Sequence, residues 1–156
     1  QYDKKHLFTY GGEDKRFTAG NERVIVEWKG VRILLAICYD LRFPELFRAM
    51  AKRGAELIVL PAKFTTPTGE AHWDLLTRTR ALDNELFFAA CCGARAPDGQ
   101  PYGHSMVIGP YGDVKAACGE EETVLFCDID LSEVDAVRAQ IPAFTGLRED
   151  VYKVAD

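Results

Sequence analysis

Residues 31–46 read VRILLAICYDLRFPEL, and the break inside this stretch decides the fold. From 33 to 38 every side chain is apolar or small. A run this apolar belongs to a central strand covered on both faces. At Tyr39 the chain turns polar, and Pro44 stands where a helix tolerates proline, in its first turn. Residues 45–53 follow, with Leu46, Phe47, Met50 and Ala51 at helical spacing, and Gly54 closes the helix. Residues 56–61, ELIVLP, read as another buried strand. Strand, helix and strand in this order predict a parallel pair with a right-handed crossover. Cys38 is left on the last step of the first strand, just before the turn.

Outward from this unit the pattern repeats. Residues 23–28, RVIVEW, alternate apolar and polar side chains, and Lys29-Gly30 makes them one arm of a hairpin with 31–38. KFTTPTGEAH, residues 63–72, reads as a loop. Residues 71–84 read as a helix with Trp73, Leu76, Arg80 and Asp83 along one side and Leu75, Thr79 and Leu82 beside it. ELFFAACC, 85–92, is a third buried strand. Residues 104–117 predict strand, Pro110–Gly112 turn and strand, and 122–130, ETVLFCDID, a further strand. Ser132 is placed to cap a helix over 133–140, which Pro142 stops. The tail, 143–156, has no clear period. This is one domain of the α/β class with a mixed sheet.

Composition removes several function classes. The 156 residues carry a formal charge of −5 with no basic block, which argues against nucleic acid or an anionic membrane surface as partner. No apolar run reaches membrane-spanning length, and no basic-apolar-small leader opens the chain. The five cysteines are odd in number, Cys91 and Cys92 are adjacent, and no C-x-x-C pair occurs. That is a poor disulfide framework and a poor zinc site, and a reducing, cytoplasmic setting fits.

In open α/β sheets, reacting groups gather beyond the carboxyl ends of the strands. Cys38 is at such an end, with the backbone N–H of Tyr39 able to face an oxyanion. Position alone leaves two readings open: a nucleophile, or the small buried core residue that most free cysteines are.

The wider wording goes further. YDKKHLF, ICYDLRFPEL, GEAHWDLLTRTRALDN and YGHSMVIGPYGDV, in this order, resemble the nitrilase superfamily of carbon–nitrogen hydrolases, and within it the Nit branch of ω-amidases and deaminated glutathione amidases. The resemblance implies a four-layer α-β-β-α sandwich and a Glu–Lys–Cys catalytic set. Cys38 matches the nucleophile and Lys4 the lysine, whose ammonium would stabilise the oxyanion and lower the thiol pKa. Glu13, in YGGEDKRF, is the candidate for a second glutamate that orients the lysine. Arg42 either receives a substrate carboxylate or pairs with Glu45 or Asp40 to hold the turn, and the structural role is favoured. Tyr39 and Phe64 would line the pocket, with Glu70 in a nearby loop. A Cys–His hydrolase using His6, His72 or His104 is the rival reading.

The family's first glutamate, the general base, precedes the lysine by a long way, and only three residues precede Lys4 here. Residues 1–156 are therefore expected to be the carboxyl-terminal portion of a single carbon–nitrogen hydrolase domain, with part of each sheet present and the amino-terminal half needed for activity. The implied reaction is hydrolysis of a small linear amide, the ω-amide of a dicarboxylate or 2-oxo acid, and the resemblance implies no metal or organic cofactor for it. The non-enzyme alternative is a truncated dimerisation or binding module. The tail QIPAFTGLREDVY, 140–152, resembles a family extension that packs across a subunit interface, which implies a homodimer.

Overall fold

The computed structural model describes residues 1–153. Six strands form one sheet in chain order: β1 (Ile25–Trp28), β2 (Val31–Leu35), β3 (Leu57–Ala62), β4 (Phe87–Cys92), β5 (Met106–Ile108) and β6 (Val114–Ala117). β2, β3 and β4 are parallel, and the remaining neighbours are antiparallel. Helix α1 (Pro44–Lys52) connects β2 to β3, and α2 (Thr66–Asn84) connects β3 to β4. A third helix, α3 (Ser132–Gln140), follows the β5–β6 hairpin. No helix among the described residues is long and apolar enough to cross a membrane.

One face of the sheet is closed. Leu34, Ile58, Leu60, Phe88, Ala90 and Ile108 point to the same side by strand alternation and pack in one core with Phe47 and Met50 of α1 and Trp73 and Ala81 of α2. Each large side chain buried this way contributes about 1.5–3 kcal/mol. Trp73 satisfies its one donor on the His104 carbonyl at 2.7 Å. The opposite face is mixed: Ile33, Leu35, Leu57, Val59, Ala89 and Val107 are half-buried, while Phe87, the register partner of Leu57, is fully buried.

Several details differ from the sequence reading, each for a local reason. β2 stops at Leu35, three residues early, because Ile37 and Cys38 enter a 3-10 turn over Cys38–Arg42. Helix α2 begins at Thr66, so the expected loop over 63–72 is mostly helix. Pro67 lies in its first turn, where a missing N–H costs nothing, and Gln100 Oε1 accepts the Thr66 N–H at 2.9 Å. Its buried stripe is Gly69, Trp73, Thr77, Arg80, Ala81 and Asn84, while Leu75 and Leu82 face outward. Ser132 is the first residue of α3 and caps nothing; the Asp130 carboxylate accepts its N–H at 2.9 Å instead.

The mixed-sheet α/β class stands, and two larger expectations within it change: the part of each of two sheets, and the strand over 122–130. The described strands belong to one sheet, because β5 pairs directly with β4 (Phe88↔Ile108) and extends it. The segment 122–130 keeps the alternating exposure of a strand but has no strand neighbour among the described residues, and Phe126 is 88% exposed. Phe144 of the tail folds back on this chain's own core, with the guanidinium groups of Arg48 and Arg138 lying 4.9 and 5.6 Å from its ring centre. The last three residues of the tail, 154–156, lie outside the described residues.

Candidate active site

The carboxyl ends of β2 and β3 and the segment 1–18 enclose a pocket of about 720 Å³. Its walls include Lys4, Glu13, Cys38, Tyr39, Arg42 and Phe64, so the structure brings together six of the seven residues singled out in the sequence. Glu70 is not among them. It is exposed on α2 rather than held in a loop beside the cysteine.

Cys38 opens the 3-10 turn with φ at +46°, a left-handed conformation that a side chain with a Cβ rarely adopts. Strain of this kind persists only where surrounding bonds over-determine it, and it gathers at functional sites. Here the turn is fixed from both directions. The Asp40 N–H donates to the Ile37 carbonyl at 3.0 Å, and the Asp40 carboxylate accepts the Ile37 N–H at 2.9 Å. The thiol lies half-buried, 3.9 Å from the Lys63 carbonyl oxygen.

Lys4 donates to both oxygens of Glu13, at 2.8 and 2.6 Å, and its side chain is only 12% exposed. Glu13 also accepts the Phe8 N–H at 2.7 Å. Burial works to raise the Glu13 carboxyl. The bonds from Lys4 and Phe8 and the ammonium charge outweigh it and hold the group below its ordinary value. The backbone of this segment is tied down by the Gly20 N–H, which donates to the Lys4 carbonyl at 2.9 Å. Only glycine fits there: a Cβ at position 20 would stand 2.2 Å from the Asp3 carbonyl oxygen.

The cysteine departs from expectation in its electrostatics. Burial pushes the Cys38 thiol above its ordinary pKa. The Lys63 carbonyl contact and the Lys4 charge pull the other way and lose, while Glu13 and Cys92 add to the rise. The expected lowering by Lys4 is present in sign but is outweighed, first by the burial of the thiol, with the Glu13 charge beside the ammonium adding to the rise.

Arg42 pairs with neither Glu45 nor Asp40, the role favoured from sequence. Among the described residues it makes no carboxylate ion pair; it reaches His72 Nδ1 at 3.3 Å and lies 5.6 Å from the Phe64 ring centre. Phe64 is buried edge-on against Trp73 at 4.9 Å between centroids. Each histidine ring is engaged away from the thiol. His6 Nδ1 is 2.8 Å from Asp40 and its ring stacks on Phe43 at 3.7 Å, while His104 Nδ1 is 3.0 Å from the Tyr102 carbonyl. None of the three histidines lines the pocket that holds Cys38, so the Cys–His rival gains no support. Among the described residues no three His, Cys, Asp or Glu side chains form a metal-holding group.

Sequence reasoning missed the part played by Asp40. It is fully buried and also takes the Tyr2 hydroxyl at 2.7 Å and the His6 N–H at 3.0 Å. Burial, then the Asp40 contact, push the Tyr2 phenol far above its ordinary range, so it stays a donor. The one available signal was a carboxylate two residues past the cysteine, in a stretch otherwise headed for the core.

Residues 1–139 match the carbon–nitrogen hydrolase family. The chain belongs to that family. The omega-amidase NIT2 of Homo sapiens is 39% identical over 99% of this chain and 59% of its own length. The Bos taurus omega-amidase NIT2 is 41% identical over 91% of this chain and 52% of its own length. Among solved structures, Saccharomyces cerevisiae Nit3, a member of branch 10 of the nitrilase superfamily, superposes with a TM-score of 0.85 at 34% identity, covering 94% of this chain and 53% of that one. An amidase variant from Nesterenkonia sp. AN1, carrying the result of Michael addition of acrylamide at its active site cysteine, gives 0.72 at 30% identity, covering 92% and 57%. This carbon–nitrogen hydrolase chain thus spans between half and three-fifths of the length of these relatives.

Proposed function

We propose that residues 1–156 are the carboxyl-terminal portion of a cysteine amidase domain, which turns over a small linear amide when the amino-terminal half is present. The observation that carries this reading is the meeting of a strained Cys38 with the Lys4–Glu13 pair in one pocket. In the proposed cycle a carboxylate base from the amino-terminal half takes the thiol proton, and sulfur attacks the amide carbon. The Lys4 ammonium and the Tyr39 N–H hold the oxyanion, and Glu13 orients Lys4. The tetrahedral adduct collapses, the amide nitrogen leaves as ammonia with the transferred proton, and water hydrolyses the thioester to a carboxylate.

Arg42 supplies the substrate preference. A guanidinium facing the pocket without a carboxylate partner suits a bidentate contact with the far carboxylate of a dicarboxylate monoamide. The omega-amidase relatives support this choice of substrate. Phe64 forms the apolar wall between Arg42 and α2. We place the complete protein in a reducing, cytoplasmic setting as a homodimer.

The test is ammonia release by the complete protein with an ω-amide of a 2-oxo acid. Cys38→Ala removes turnover while circular dichroism and Tm stay at the parent values. Retained turnover in that variant contradicts the mechanism. A folded complete protein that binds such amides without releasing ammonia supports the alternative, a non-catalytic binding or dimerisation module.

A further inference from the structure

The geometry points to Asp40 as a positioning residue that clamps the lysine-bearing segment onto the cysteine-bearing turn. The inference rests on the amidase reading for its consequence, but the clamp itself is read from hydrogen bonds.

Asp40 is 0% exposed, and a buried carboxylate persists only when its oxygens are filled. All four bonds serve one purpose. Oδ2 accepts the Tyr2 hydroxyl at 2.7 Å and the Ile37 N–H at 2.9 Å. Oδ1 accepts the His6 N–H at 3.0 Å and lies 2.8 Å from His6 Nδ1. Tyr2 and His6 flank Lys4 on either side, and Ile37 immediately precedes Cys38. The two segments are more than thirty residues apart in sequence, so one side chain sets the register between nucleophile and ammonium. The His6 ring, stacked 3.7 Å from Phe43 at 9°, closes the same joint from the far side of the turn.

This places Asp40 outside the reacting atoms. Its effect reaches the chemistry through the position of Lys4, whose charge acts on Cys38. A misplacement of about 1 Å at such a distance costs about 100-fold in rate.

The experiment compares Asp40→Asn and Tyr2→Phe with the parent in the complete protein. Two quantities are read: kcat and KM for an ω-amide, and the pH dependence of iodoacetamide labelling of the Cys38 peptide by mass spectrometry. Asn keeps the shape but offers one acceptor where the carboxylate offers two. Asp40→Asn is expected to lower kcat about 100-fold with KM within about threefold, and to move the Cys38 labelling profile to higher pH. Tyr2→Phe, which leaves the turn's own bonds intact, is expected to do the same at about tenfold. A merely structural role lowers Tm and leaves the labelling profile of the folded protein in place; that result overturns the clamp. If Asp40→Asn does not fold, Tyr2→Phe alone decides, and an unchanged profile and kcat there overturn it equally. Labelling does not depend on amide turnover. A parent inactive on every amide therefore refutes the amidase reading, while the profile shift still judges the clamp.

Discussion

The two faces of the sheet are built from the same strands and finished differently. On one, Leu34, Ile58, Leu60 and Phe88 are sealed by α1 and α2, and exposure falls to zero. On the other, Ile33, Leu35, Leu57 and Val59 come from alternate positions of the same strands and stay half-open. The side chains are as apolar on the second face as on the first. What differs is that, among the described residues, α1 and α2 seal the first face, while on the second Phe87 is fully buried and Ile33, Leu35, Leu57 and Val59 are not. The segment 122–130 shows the same incompleteness at the level of one strand: its alternation is written, and its neighbour is not among the described residues. The candidate site sits where the two situations meet, with its turn fixed by the closed core and its pocket walled in part by the segment 1–18.

Truncations on the two faces break or sharpen this contrast. Phe88→Ala on the closed face is expected to lose about 3–5 kcal/mol of stability, because the cavity beside Phe47 cannot collapse. Val59→Ala on the open face is expected to lose less than about 1 kcal/mol in this chain alone, and more in the complete protein if a second layer covers it. Urea titration of both variants in both contexts checks this. Equal losses for Val59→Ala in the two contexts would show that nothing packs there.

The next effect is electrostatic. Burial holds the Cys38 thiol above its ordinary pKa, so labelling is slow at neutral pH and climbs on the alkaline side. Lys4→Met removes the one charge that favours the thiolate, so its labelling profile moves further toward high pH. Glu13→Gln removes a charge that opposes the thiolate, so its profile moves down. A shift in the same direction for both variants would contradict the geometry of the pair.

The smallest expected effect is on acid stability. The folded Glu13 carboxyl titrates below its unfolded value, so its contribution is present above the unfolded pKa and is lost as pH falls through the folded one. The pair is partly exposed, so the acid-side difference between the parent and Glu13→Gln stays below about 1 kcal/mol.

Much of this was legible in the order of residues. The apolar run over 33–38, the proline at 44 and the run over 56–61 carry the parallel unit, because period and punctuation are local signals. Lys4, Glu13 and Cys38 reach one pocket as the family wording implies. The start of α2 was hidden, because Thr, Pro and Gly read as loop until Gln100 and Gly99 arrive to hold Thr66. The partners of Arg42 were hidden too: Asp40 is two residues away in sequence but spends its oxygens on Tyr2, His6 and Ile37. Contacts of this kind are long-range, and spacing along the chain does not encode them.

The central claim is that this chain holds the nucleophile, its lysine and a substrate cation, and that turnover needs the other half of the domain. The direct measurement is ammonia release from an ω-amide of a 2-oxo acid, comparing the complete protein with the 156-residue chain alone. The account predicts turnover by the complete protein and none by the chain, although Cys38 labels in both. Turnover by the chain alone at the rate of the complete protein would contradict it, as would a folded complete protein that releases no ammonia.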